Sequence, residues 1–130
     1  MSILYEKEGY AIRGALFEVH KNLGIGFIEE VYQMALEMEL ALCGVPFEPQ
    51  KEFTLSYKGV ALPKTFRADV VCYGKIILEL KAADCLLEEN ELQLINYLKA
   101  TDKEVGLLLN FGKRPEIRRK AFDNDRKKIK

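Results

Sequence analysis

The stretch "TFRADVVCYGKIILELKAAD", residues 65–84, decides the fold: it reads as two strands around a turn, yet carries Asp69, Glu79 and Lys81 among aliphatic residues. Successive side chains of a strand face opposite sides, so residue parity tells which of them share a face. The even positions Phe66, Ala68, Val70, Cys72, Ile76, Leu78 and Leu80 are all apolar. Thr65, Arg67, Asp69, Glu79 and Lys81 are odd, joined only by Val71 and Ile77 near the turn. One face is therefore expected to pack on a core while the other collects charge. Both even sets face the same side only if the loop has an odd length. A three-residue loop Cys72-Tyr73-Gly74, with Gly74 left-handed as a bulge, meets that demand. Asp69 then shares a face with Glu79 and Lys81, directly across or one diagonal step away.

Two carboxylates held close together repel unless something positive sits between them, and a small cluster of hard oxygen ligands suits Mg²⁺ or Mn²⁺. Lys81, two residues beyond Glu79 on the same face, is placed to hold or activate a water. An ion-paired solvent face, Arg67 with Glu79 and Asp69 with Lys81, satisfies the same parity. The pattern alone leaves both readings open.

Working outward, Ile12, Ala15, Leu16, Val19 and Leu23 follow helical spacing from Tyr5 to about Leu23, and "NLGIG" supplies a stop. A second helix is expected from Ile28 to Cys43, with Val31, Ala35, Met38 and Leu42 on its buried stripe and Gly44 as its end. "EFTLSYKGVALP" alternates Phe53, Leu55 and Tyr57 and turns at Lys58-Gly59, as a strand does. After the hairpin, "LEENELQLINYLKATD" has helical spacing through Leu87, Leu92, Ile95 and Leu98. "EVGLLLNFG" is a short buried strand, and "PEIRRKAF" reads as an edge strand before a frayed basic end. No repeat, low-complexity tract or linker interrupts the chain.

With 130 residues, 48% of them hydrophobic, the chain suits one domain with a real core, residues 1–130. Its net charge is zero, so no overall basic footprint marks a nucleic-acid binder. From Lys113 onward, however, nine Lys or Arg stand against three acids, leaving the body acidic. That reads as a solvated terminus, with a phosphate-binding arm as the sharper alternative. Cys43, Cys72 and Cys85 form an odd set without a C-x-x-C, each in an apolar neighbourhood, which suits reduced, packed thiols in the cytoplasm. No stretch reaches the roughly 18 apolar residues of a membrane span. His20, the single histidine, is expected to close the first helix rather than to act as a ligand or base.

Asp69, a short interval, then Glu79-Leu80-Lys81 across two strands resembles the core of the PD-(D/E)xK nuclease superfamily. Gln93 and Tyr97 in "QLINY" look like the Q-x-x-x-Y motif of RecB-like members, and Gly26, Glu29 and Tyr32 in "GFIEEVY" resemble the GxxExxY signature. Each motif is weak alone; four in order over one short chain are specific. The resemblance implies an α/β fold with a PD-(D/E)xK nuclease-like core, a mixed sheet flanked by helices in the order ααβββαβ. It implies that Asp69, Glu79 and the backbone carbonyl of Leu80 bind Mg²⁺, with Mn²⁺ as substitute, and that Glu29 contributes directly or through water. Glu30 competes with Glu29, and helix phase does not choose between neighbours. Lys81 would position the nucleophile. Gln93 and Tyr97 would hold a phosphate, unless Tyr97 is simply a core aromatic with Gln93 solvated beside it. Tyr32 would pack under the site or donate to a carboxylate.

The implied function is metal-dependent hydrolysis of phosphodiesters in nucleic acid, DNA in preference to RNA, with a homodimer suited to embracing a duplex. The alternative is a non-catalytic nucleic-acid or protein binding module that retains the nuclease fold. A small-molecule enzyme has little support, since neither a phosphate loop nor a dinucleotide fingerprint is present.

Overall fold

The computed structural model describes residues 3–127. Two helices come first, α1 (Glu6–Leu23) and α2 (Glu29–Leu42), then strands β1 (Phe47–Tyr57), β2 (Val60–Cys72) and β3 (Ile76–Lys81). Helix α3 (Glu88–Lys99) leads to β4 (Val105–Asn110) and β5 (Glu116–Ala121), followed by a 3-10 turn at Asn124–Arg126. The expected order holds, with β5 as the edge strand added at its end. The sheet runs β1-β2-β3-β4-β5, antiparallel except for β3 and β4, which are parallel. A parallel neighbour needs a crossover, and α3 supplies it.

That crossover changes what the hairpin faces. Parallel strands are covered on both sides, and here α1 and α2 pack on one face while α3 packs on the other. The first core joins Ile12, Leu16, Tyr32, Leu36 and Leu40 to Val70, Ile76, Leu78, Leu80 and Leu109. The second joins Leu94 and Leu98 to Phe66, Ala68, Val71, Ile77 and Leu108. The expectation of one packed face and one charged face is thus corrected: Val71 and Ile77 are core residues of the α3 side. The even set does not stay together either, because Phe66 and Ala68 lie opposite Val70 and Cys72. The break in phase falls at Asp69, where the β1/β2 ladder skips its Gln50–Asp69 pair and Gln50 takes a φ of 52°.

The odd-length loop is present, one residue later than expected. Cys72 pairs with Ile76, leaving Tyr73, Gly74 and Lys75 as the loop, with Lys75 N–H donating to the Cys72 carbonyl at 3.0 Å. Tyr73 and Gly74 both have positive φ, 57° and 68°, a conformation glycine adopts at no steric cost. The same ladder pairs Val70 with Leu78, so its next step sets Asp69 opposite Glu79.

Two helix stripes differ from expectation. In α2 the buried residues are Tyr32, Gln33, Leu36 and Leu40, whereas Met38 and Leu42 are 69% and 79% exposed. In α3 Leu94 and Leu98 are buried, while Leu87 and Leu92 are exposed. Apolar residues occur on more than one face of each helix, so periodicity alone admits two phases. The stripe of α1 is as expected, with Ile12, Ala15, Leu16 and Val19 buried.

The basic end is docked rather than frayed as far as Lys127. Lys127 is buried, and its Nζ donates to the carbonyls of Thr101 at 2.7 Å and Lys103 at 2.8 Å. Arg118 and Lys120 of β5 both pair with Glu91 of α3. Of the cysteines only Cys72 is packed, with burial pushing its thiol up to about 12; Cys43 and Cys85 are exposed, and all three are free. No described helix is long and apolar enough to cross a membrane.

Candidate active site

Where β2 leaves β3, the side chain of Asp69 replaces the missing ladder partner: its Oδ2 accepts the Leu80 N–H at 2.7 Å. A residue in a strand points its N–H and C=O to the same side, so the Leu80 carbonyl also faces the gap between the two strands. From the other side, Gln33 Nε2 donates to the Asp69 carbonyl at 2.7 Å and to Glu37 Oε2 at 2.9 Å. Asp69 is therefore held at both its backbone and its carboxylate. Replacing Gln33 by leucine, of similar volume, is expected to cost about 1–3 kcal/mol by leaving that carbonyl without its donor; urea unfolding measures it.

Glu79 is the least comfortable group in the molecule. It stands across from Asp69, and its Oε1 is buried with no hydrogen-bond partner among the described residues. Burial first, then the charge and contact of Asp69, push its carboxyl up to about 9. Asp69 is raised too, by burial, against the opposing pull of the Leu80 amide, the Glu79 contact and Lys81. Two carboxyl groups within hydrogen-bonding reach cannot both ionise in such a place without a cation. Lys81 lowers both but forms no ion pair among the described residues.

The ion-paired alternative is therefore not what the structure contains: Arg67 pairs with Glu52 at 3.6 Å, not with Glu79. Glu29, at the start of α2, is raised by partial burial and by Asp69 and lowered by Lys81. It lies one helical turn before Gln33, on the face that meets Asp69, which favours it over Glu30. Tyr97 feels the same two carboxylates, which together with burial raise its hydroxyl, and its ring stacks on Phe66 at 3.9 Å. It is a packed aromatic that also faces the site. Gln93 is exposed, makes no hydrogen bond among the described residues, and lies one helical turn before Tyr97. Tyr32 packs under the site, fully buried, donating to the Gly24 carbonyl at 2.6 Å rather than to a carboxylate.

The donor set suits a small hard cation. Among the described residues no three His, Cys, Asp or Glu side chains converge as ligands. Mg²⁺ takes only one or two carboxylates and keeps several waters. Asp69, the unpartnered oxygen of Glu79 and the Leu80 carbonyl meet that requirement.

Three supporting residues escaped the motif reading. Gln33 had a legible signal in its spacing from Glu29. Asn110 and Gly112 had none. Asn110 is buried and clamps the chain just beyond Lys81: its Oδ1 accepts from Ala83 N at 3.0 Å and Gly112 N at 3.1 Å, and its Nδ2 donates to Ala83 O at 2.9 Å. His20 Nε2 donates to the Gly112 carbonyl at 2.8 Å, tying the end of α1 to the same clamp.

No curated protein matches the chain. Among solved structures it is similar to one described as "Crystal structure of SSO0001", at 20% identity and a TM-score of 0.60 over 92% of this chain. The chain spans 60% of that protein's length, and at this identity the likeness concerns the fold. A family model described as the PD-(D/E)XK nuclease superfamily matches residues 6–120, from the first residue of α1 into the last strand. With the mixed sheet and the Asp69/Glu79-Leu80-Lys81 arrangement in place, the chain belongs to the PD-(D/E)XK nuclease superfamily.

Proposed function

We propose that this protein hydrolyses phosphodiester bonds in nucleic acid, DNA in preference to RNA, with Mg²⁺ held by Asp69, Glu79 and the Leu80 carbonyl. The observation that carries the reading is the buried, unpartnered Oε1 of Glu79 facing Asp69. A cation there would satisfy both carboxylates at once. When bound, it supplies charge neutralisation at the phosphoryl group and makes water acidic enough to attack near neutral pH.

The chain's own residues do the rest. Lys81, unpaired among the described residues and within the field of Glu29, Asp69 and Glu79, orients the attacking water or steadies the charge that develops on phosphate oxygens. Glu29 approaches from α2, within the field of Asp69 and Lys81, and holds a water at the site. Tyr97 offers its hydroxyl to a phosphate oxygen; burial and the carboxylates keep it protonated. Gln33 acts on Asp69, not on substrate. The free thiols suit action in a reducing compartment such as the cytoplasm.

Calorimetric titration of Mn²⁺ at low salt and neutral pH, into the native chain and Asp69→Asn, tests this. Asparagine can still accept the Leu80 N–H through its oxygen, so the fold survives and only the charge is removed. Binding should weaken at least about tenfold in the variant, with cleavage of oligonucleotides lost in parallel. Equal heats from the two proteins would refute the assignment and favour a binding module built on the same fold.

A further inference from the structure

Where the loop before α2 meets the segments that follow β3 and β4 lies a cleft of about 420 Å³, lined by Phe27, Ala82, Ala83, Asp84, Phe111 and Lys113 among others, a size within the range of small-molecule sites. Along the chain its walls adjoin two of the site's segments: Ala82 follows Lys81, and Phe27 precedes Glu29 by two residues. The aromatic wall is a ladder that begins in the core and ends at solvent. Phe111 stacks on Tyr32 at 4.8 Å and 16°, and Tyr32 meets the edge of Phe27 at 6.1 Å and 80°. Phe27 itself is 47% exposed, between Ile25 and Ile28, both more exposed still.

Apolar side chains so placed on a short loop are costly to leave in water, and they mark an interaction site when polar groups rim them. Asp84 and Lys113 are that rim, with Arg114 next in sequence. The opposite wall is rigid, because Asn110 clamps Ala83 and His20 anchors Gly112. A preformed slot pairing an aromatic ring with a lysine is how single strands are held, by base stacking and backbone charge together.

We propose that this cleft is a subsite for one unpaired base of a single-stranded nucleic acid, stacked on Phe27, with Lys113 on the adjoining phosphate and Asp84 accepting from base or sugar donors. It deepens the nuclease reading and rests on it for the placement of the base beside the scissile phosphate. A base pair would keep the base within its own stack, so the site selects single strands, frayed ends or splayed nucleotides over intact duplex.

The sequence contains no tryptophan, so Phe27→Trp creates a single stacking reporter in the full chain. Its emission is followed in EDTA, where cleavage is suppressed, against deoxy-oligouridylate, oligouridylate and a blunt duplex of equal length. Saturable quenching by the single strands, and binding at least about fivefold weaker for the duplex, is expected; the tighter of the two single strands names the sugar. Phe27→Ala, read by anisotropy with labelled oligomer, should weaken single-strand binding about tenfold.

Unchanged affinity in Phe27→Ala, or equal affinity for duplex and single strand, overturns the subsite. If the native chain also cleaves in an Asp69-dependent way, the nuclease reading survives that loss. Phe27-dependent binding by a protein that never cleaves would instead remove the nuclease reading and leave the base subsite standing.

Discussion

Glu79→Gln should reduce metal-dependent cleavage by about 10³-fold while leaving the metal-free protein folded and, above neutral pH, more stable than the native chain. Glutamine has the shape of the protonated acid, and the folded state already holds that acid neutral, its carboxyl pushed up to about 9 by burial and by Asp69. The substitution therefore removes a metal ligand without removing packing. The sign of the pH effect follows from linkage. Unfolded, the group titrates near the ordinary carboxylate value; folded, it holds its proton up to about 9. Its stabilising contribution is complete below the unfolded value and is lost as pH rises through the folded one.

Metal-free native protein should thus lose stability from about pH 5 to pH 9, and Glu79→Gln should flatten that slope. The gap between the two, measured by urea unfolding, should widen by on the order of 3 kcal/mol between pH 5 and pH 8. Divalent metal reverses the trend, because binding requires the deprotonated carboxyl and so tightens with pH over the same interval. Parallel pH profiles for the two proteins would show that Glu79 is ionised in the folded state, and the argument from its buried oxygen would fail.

Gly112→Ala should unfold more of the molecule than any conservative change in the core. A Cβ at this position would lie 1.8 Å from the Ala83 carbonyl oxygen and 2.7 Å from its carbon. The obstacle is backbone, and it cannot swing aside: Asn110 holds Ala83 at both its N–H and its carbonyl. Relief requires moving the segment that follows Lys81 or breaking the His20 anchor, and overpacking against fixed backbone costs about 3 kcal/mol or more. Urea unfolding gives the magnitude. Because the displaced segment begins next to Lys81 and forms a wall of the cleft, any protein that remains folded should also lose cleavage. A variant as stable as the native chain would mean the Ala83 segment is free to shift, contrary to its two hydrogen bonds with Asn110.

Because its end is docked, the basic tail cannot be probed cleanly by truncation. Deleting residues from Lys113 onward would strip β5 from the sheet and cut the Glu91 pairings with Arg118 and Lys120, so lost nucleic-acid affinity would not isolate phosphate contacts. Charge changes at Lys113 alone leave the strand in place.

How much of the fold is legible in the sequence depends on how local each interaction is. Turn residues, alternation and the spacing of Asp69, Glu79 and Lys81 are short-range properties, and from them alone came the hairpin, its odd loop and the convergence of two carboxylates. Helix existence was equally local. Helix phase was not, because α2 and α3 carry apolar residues on several faces, and which face is buried depends on the partner. Met38 and Leu42 look as core-forming as Leu36 and Leu40 until the sheet is in place.

By itself the sequence determined the order of elements, the α/β class and the residues at the centre of the candidate site, since these rest on periodicity and on the close spacing of Asp69, Glu79 and Lys81 along the chain. Only the tertiary structure decided that the sheet is covered on both faces, that Asp69 breaks the strand by taking the Leu80 amide, and that Glu29 and Gln33 arrive beside it. It alone also buried Glu79 with its Oε1 unpartnered among the described residues and set Phe27 over a cleft. The physical reason is that burial and electrostatics are sums over everything nearby in space, and most of what lies near Glu79 is distant from it along the chain.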